Sequence, residues 1–153
     1  MAGSEHYRRI IHEFCDLAGL QEPLRLIEDG RLCIDGVDLL LVYDEAFDPR
    51  RLQLRMDLQA LPRSHKHPTA MLTALLVNNY ISGIGGLFVF GLNPRDNHVV
   101  LTVQVMLDDE ATGRELLTSL KDAVAQAKTM WQQLCDEIAK GDRSAASSRM
   151  IRA

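Results

Sequence analysis

Aromatic residues make up only 5% of this chain, and no run of about 18 apolar residues goes uninterrupted by charge. The first shortage leaves little for stacking on nucleic-acid bases. The second gives no membrane-spanning helix. The opening MAGSEHYRRI carries charge where a secretory signal would be apolar, so a cytosolic protein is expected. Cysteines number three, and Cys15, Cys33 and Cys135 lie far apart in apolar patterns with no CxxC pair, which reads as reduced core side chains. There is no basic excess either. The 17 basic and 21 acidic residues leave a net charge of −4, which argues against a nucleic-acid partner.

Catalytic constellations are also missing. No serine stands at a GxSxG elbow, and no cysteine is placed with a histidine base and an orienting third group. His65 and His67 flank Lys66 in a polar linker with no cysteine or carboxylate beside them, so they read as solvated histidines rather than metal ligands. Residues 83–86, Gly-Ile-Gly-Gly, follow a helix and precede a strand. That is the wrong order for a phosphate loop, and no Gly-Lys-Ser/Thr follows. Asp44, Glu45 and Asp48 lack calcium-loop spacing. The expectation is a protein that is not an enzyme, with no catalytic, cofactor or metal site.

What is present is apolar surface. Residues 4–18 place Tyr7, Ile10, Ile11, Phe14 and Leu17 at spacings of three and four, opposite Glu5, Arg8, Arg9, Glu13 and Asp16, so they form an amphipathic helix. A meander follows, read as extended at Leu24 and Leu26, turning at Asp29-Gly30 and again at Asp35-Gly36, a strong hairpin signal. Residues 37–43 form a strand apolar on both faces. Residues 52–60 alternate, with Leu52, Leu54, Met56, Leu58 and Ala60 on the dry face.

Residues 68–107 organise the rest. The run PTAMLTALLVNNYIS is a helix apolar nearly all round, which must be covered on more than one side. One cover is the chain's own sheet; the other is read as a second subunit. Two strands follow around a polar turn at residues 93–97. A long helix, read as 109–140 with Asp108 or Asp109 as its cap, closes over the sheet. Residues 141–153 hold three arginines against one aspartate, a net +2 that leaves −6 on the body. They show no periodicity and are expected to form a disordered basic tail beyond a single domain at 1–140. Surplus apolar surface of this kind suits another polypeptide, for example one added in extended form to a sheet edge.

The segments MLTALLVNNYISG, GGLFVFGLNP and VVLTVQVMLDD, with FCDLAGL and EDGRLCIDGVDLLLV before them, resemble the class I chaperones of bacterial type III secretion, the CesT or Tir-chaperone family. The resemblance covers residues 7–138 and implies an α+β fold. In that fold an antiparallel twisted sheet of about five strands carries three helices, in the order α-β-β-β-α-β-β-α, as a homodimer. It implies a cytoplasmic bacterial protein that holds the N-terminal chaperone-binding segment of one or more effectors, extended and secretion-competent, without nucleotide or other cofactor. The secretion ATPase is a further implied partner. By the family pattern the dimer interface would use Met71, Leu75, Asn78, Asn79, Phe88 and Phe90, and the effector would meet Ile10, Phe14, Leu32, Ile34, Leu40 and Val42. The alternative within the same fold is a sensory or regulatory protein-binding domain with no secretion role.

Overall fold

The computed structural model describes residues 2–61, 68–82 and 88–152. The linker histidines His65 and His67 and the glycine run at 83–86 lie outside the described residues. The elements are α1 (Ala2–Ala18), α2 (Pro23–Asp29), β1 (Arg31–Ile34), β2 (Val37–Tyr43), β3 (Arg51–Ala60), α3 (Pro68–Ser82), β4 (Phe88–Leu92), β5 (His98–Met106) and α4 (Gly113–Arg152). No described helix is long and apolar enough to cross a membrane.

The strands form one antiparallel sheet in the order β1-β2-β3-β5-β4. The β1–β2 hairpin turns at Asp35 and Gly36, both with positive φ (49° and 79°), which matches the right-handed twist of the flanking strands. Period-two patterning then gives the sheet one dry face. Val37, Leu39 and Leu41 of β2, Leu52, Leu54 and Met56 of β3, and Val99, Leu101 and Val103 of β5 are all buried there. Register adds Leu32 and Ile34 of β1 to the same side, opposite Leu39 and Val37.

The alternation in β3 does not run to its end. The register shifts between Asp57 and Gln59, and beyond this bulge Gln59 pairs with the buried Val99. Its side chain accepts a hydrogen bond from Trp131 Nε1 of α4 at 3.2 Å.

The helices cover the dry face. In α1, Ile10, Ile11, Phe14 and Cys15 are buried, and α4 supplies Leu116, Leu120, Val124, Ala127 and Leu134 to the same core. Tyr7 stacks on Tyr43 with ring centroids 4.2 Å apart, and its burial pushes its pKa up to about 12, helped by the neighbouring Tyr43 and Cys15. Where α1 and α4 meet there is no room for a side chain. A Cβ at Gly113 would lie 2.3 Å from the Phe14 backbone nitrogen.

Four features differ from the sequence expectation. The segment read as extended at Leu24 and Leu26 is the helix α2, so the described residues hold four helices rather than three. Pro23 begins α2 and Gly30, left-handed at φ 68°, ends it, its N–H donating to the Leu26 carbonyl. Next, α4 starts after Thr112 rather than after Asp108 or Asp109. Thr112 Oγ1 accepts from the Glu115 N–H and the Glu115 carboxylate accepts from the Thr112 N–H, a reciprocal cap, while Glu13 of α1 accepts from the Gly113 N–H at 2.8 Å. The helix also continues to Arg152 through the segment expected to be disordered, which contains no proline and is rich in alanine and arginine. Finally, Cys33 lies on the open face of β1 and is exposed, whereas Cys15 is buried as expected.

Candidate docking surfaces

The apolar circumference of α3 divides into two faces. Met71 and Leu75 are 6% and 5% exposed and point into the chain's own core, with Ala74 packed beside them. Leu72, Val77, Leu76 (70% exposed), Tyr80 (85%) and Ile81 (67%) look outward. Five large apolar side chains on one exposed helical face make the kind of patch that marks an interaction site.

Asn79 sets the phase of the helix. Its Nδ2 donates to the Phe90 carbonyl at 2.9 Å, and its Oδ1 accepts from the Phe90 N–H at 2.8 Å. The side-chain amide therefore pairs with the free edge of β4 much as another strand would, and covers an edge that would otherwise be open to pairing. With Asn79 fixed on β4, Met71 and Leu75, eight and four residues earlier, must face inward.

The second surface is the face of the sheet that no helix covers. Leu40 and Val42 of β2 project there and are half-buried, as do Gln53 and Arg55 of β3 and Val100 and Thr102 of β5. A groove of about 1000 Å³ opens on this face. Its lining mixes Leu40, Val100 and Thr102 with Arg31, Asp38, Arg55, Asp57, Arg95 and Asp96. Both signs of charge are represented equally, so the groove is amphipathic rather than acidic or basic.

At one end of the groove Asp57, Asp96 and His98 converge, with their polar atoms within 4.8 Å of one another. His98 Nδ1 donates to both Asp57 oxygens, at 2.7 and 2.9 Å. The hydrogen bond to Asp57 raises the His98 pKa most; burial opposes it, and the charges of Asp57 and Asp96 add smaller upward effects. The imidazole nitrogen is already engaged by a carboxylate, and the group is an ion-pair cluster.

Comparison with solved structures places this architecture among known ones. A chain of the ExsC-ExsE complex matches with a TM-score of 0.60 at 23% identity, over 86% of this chain and 94% of that one. A chain of the HopA1-SchA chaperone-effector complex matches with a TM-score of 0.55 at 19% identity, over 80% of this chain and 89% of that one. The fold is the one shared by these two chains. Neither the protein-family models nor the curated proteins give a match to the sequence.

On this fold the residues singled out from the sequence separate into groups. Of the six expected at a dimer interface, Met71, Leu75 and Phe90 are buried within the chain, Asn79 is bonded to β4, and Asn78 and Phe88 are half-buried. The outward side chains are their neighbours in sequence. Of the six expected to meet an effector, Ile10 and Phe14 are fully buried between α1 and α4, because the amphipathic face of α1 is consumed by the chain's own core. Leu32 and Ile34 lie at the margin of the dry face, Leu40 lies in the open groove, and Val42 lies on the same open face beside it. The groove's charged lining was not singled out from the sequence, although the wet alternation of β3, Gln53-Arg55-Asp57, was its visible trace.

Proposed function

We propose that this chain is a cytoplasmic bacterial type III secretion chaperone. It holds an N-terminal segment of an effector in extended form, works by binding without turnover, and pairs as a homodimer through the outer face of α3. The observation that carries the reading is the outward stripe Leu72, Leu76, Val77, Tyr80 and Ile81 together with an uncovered sheet face, on a fold shared with a chain of a chaperone-effector complex. A lone domain gains nothing from leaving these side chains in water, whereas a second copy covers them.

The groove suits the client. Leu40 and Val42 offer apolar contact to alternate side chains of an extended segment, and the exposed edge of β1 offers main-chain hydrogen bonds. Burial pushes Cys15 and Cys135 above the ordinary cysteine value and away from a reactive thiolate. The secretion ATPase is the downstream partner that such a complex would meet.

The test is native mass spectrometry of the protein isolated from its own host. The expected mass is two chains plus one copy of a larger polypeptide, held through that polypeptide's N-terminal region. A bare monomer, or a dimer carrying only a small molecule, overturns the proposal.

A further inference from the structure

We propose that Asp57, Asp96 and His98 form a proton-operated clasp that binds the β4–β5 turn to β3 at one end of the open groove, tight while the imidazole is charged and loose once it is neutral. Three placements converge to make it. Asp57 is the last residue of β3 before the bulge and pairs with Val100, His98 is the first residue of β5 and pairs with Ala60, and Asp96 belongs to the turn itself. The bulge between Asp57 and Gln59 brings the carboxylate of Asp57 within 2.7 Å of His98 Nδ1. Asp96 Oδ1 in turn accepts the His98 backbone N–H at 3.0 Å, so the turn, the strand and the imidazole move together.

The charges around His98 favour its protonated form. From β3 it faces Asp57, and from the turn Asp96. β4 carries no titratable side chain and α3 only Tyr80, while the cations Arg31, Arg55 and Arg95 line the adjoining groove. Folding raises the His98 pKa above its ordinary value of 6.5. The charged clasp is therefore fully present below pH 6.5 and is lost as pH rises through the raised folded value. A neutral imidazole still donates to Asp57, but the two carboxylates are then no longer balanced by a positive charge. On the chaperone reading, a lysine or arginine of a bound segment could take the imidazolium's place, so the clasp would couple groove occupancy to pH.

Amide hydrogen exchange on the free protein tests the clasp without any client, so its outcome is independent of the chaperone reading. The observable is the protection of the Asn97 and His98 amides in the wild-type chain divided by that in Asp57→Asn, measured at each pH so that intrinsic exchange cancels. An exposed pair of this kind is expected to give a ratio of about two to five at pH 6, falling toward one as His98 loses its proton. His98 is followed in parallel by its imidazole NMR shifts, and its pKa should drop in both Asp57→Asn and Asp96→Asn. A ratio of one at every pH, a ratio that does not change with pH, or a His98 pKa untouched by either substitution overturns the clasp.

Discussion

Leu75 and Leu76 are adjacent in sequence and should respond in opposite ways. Leu75 is 5% exposed, so Leu75→Ala deletes core methyl groups and is expected to cost about 2–5 kcal/mol of folding stability. Leu76 is 70% exposed, and since burying a whole leucine is worth about 1.5–3 kcal/mol, covering it in a dimer contributes about 1–2 kcal/mol per protomer. A two-fold interface counts that twice. Leu76→Ala should therefore weaken the dimer by about 2–4 kcal/mol, or roughly 30- to 700-fold in Kd, with little effect on the isolated fold. Sedimentation velocity over a dilution series reads the Kd. Urea unfolding, done at several protein concentrations because dimerisation itself adds apparent stability, reads the fold. If Leu75→Ala weakened the dimer without softening the fold, or Leu76→Ala left the Kd unchanged, the outer face of α3 would not be the interface.

Asn79→Leu removes both hydrogen bonds to the Phe90 backbone, and at about 0.5–1.5 kcal/mol each the loss should be about 1–3 kcal/mol; an unchanged urea midpoint would show that Asn79 does not hold α3 on β4. Tyr7 should ionise only near pH 12, well above the ordinary tyrosine value of 10.0. Because burial raises the folded value, stability should be intact below pH 10 and fall by about 3 kcal/mol as pH climbs through the folded value, a loss that Tyr7→Phe abolishes in alkaline unfolding curves. Leu40→Asp places a charge in the open groove and should leave the dimer intact while reducing capture of an effector segment in a pull-down. Undiminished capture would remove the groove from the binding site.

β3 and β5 were legible because apolar residues alternate along them, so period two had a phase to report. β2 is apolar on both faces and was legible by its β-branched and leucine run between turns. The phase of α3 was not. Its residues are apolar on every side, and a helix with no polar stripe does not say which face is inside. That choice is made by a contact distant in sequence, the Asn79 amide on the Phe90 backbone. In α1 the apolar face was correctly placed, but sequence could not say whether its cover would be a partner or α4; the structure places α4 over Ile10 and Phe14. The misreading of α2 had a local cause. Leu24 and Leu26 alternate as in a strand, yet Pro23 and Gly30 are the start and stop pair of a short helix, and Asp29-Gly30 was read as a hairpin turn when Gly30 is its left-handed cap. The Thr112–Glu115 reciprocal cap was written in the sequence as Thr-Gly-Arg-Glu and overlooked in favour of the aspartates before it.

The two open surfaces differ in a way that bears on how each would be used. The outer face of α3 is dry, with no charged residue anywhere on the helix, and a surface of that composition resembles a core cut in half, as in permanent homodimers. The groove across the sheet is mixed, with three acids and three arginines among its apolar residues. Mixed surfaces support partners that must be released, because water and counter-charges can replace the contacts one at a time. The proposed function calls for one of each: a face that would keep two copies together throughout, and a face that would give up its client on release. No described residue of α3 lines the groove, which is what lets Leu76→Ala and Leu40→Asp be expected to fail in different assays.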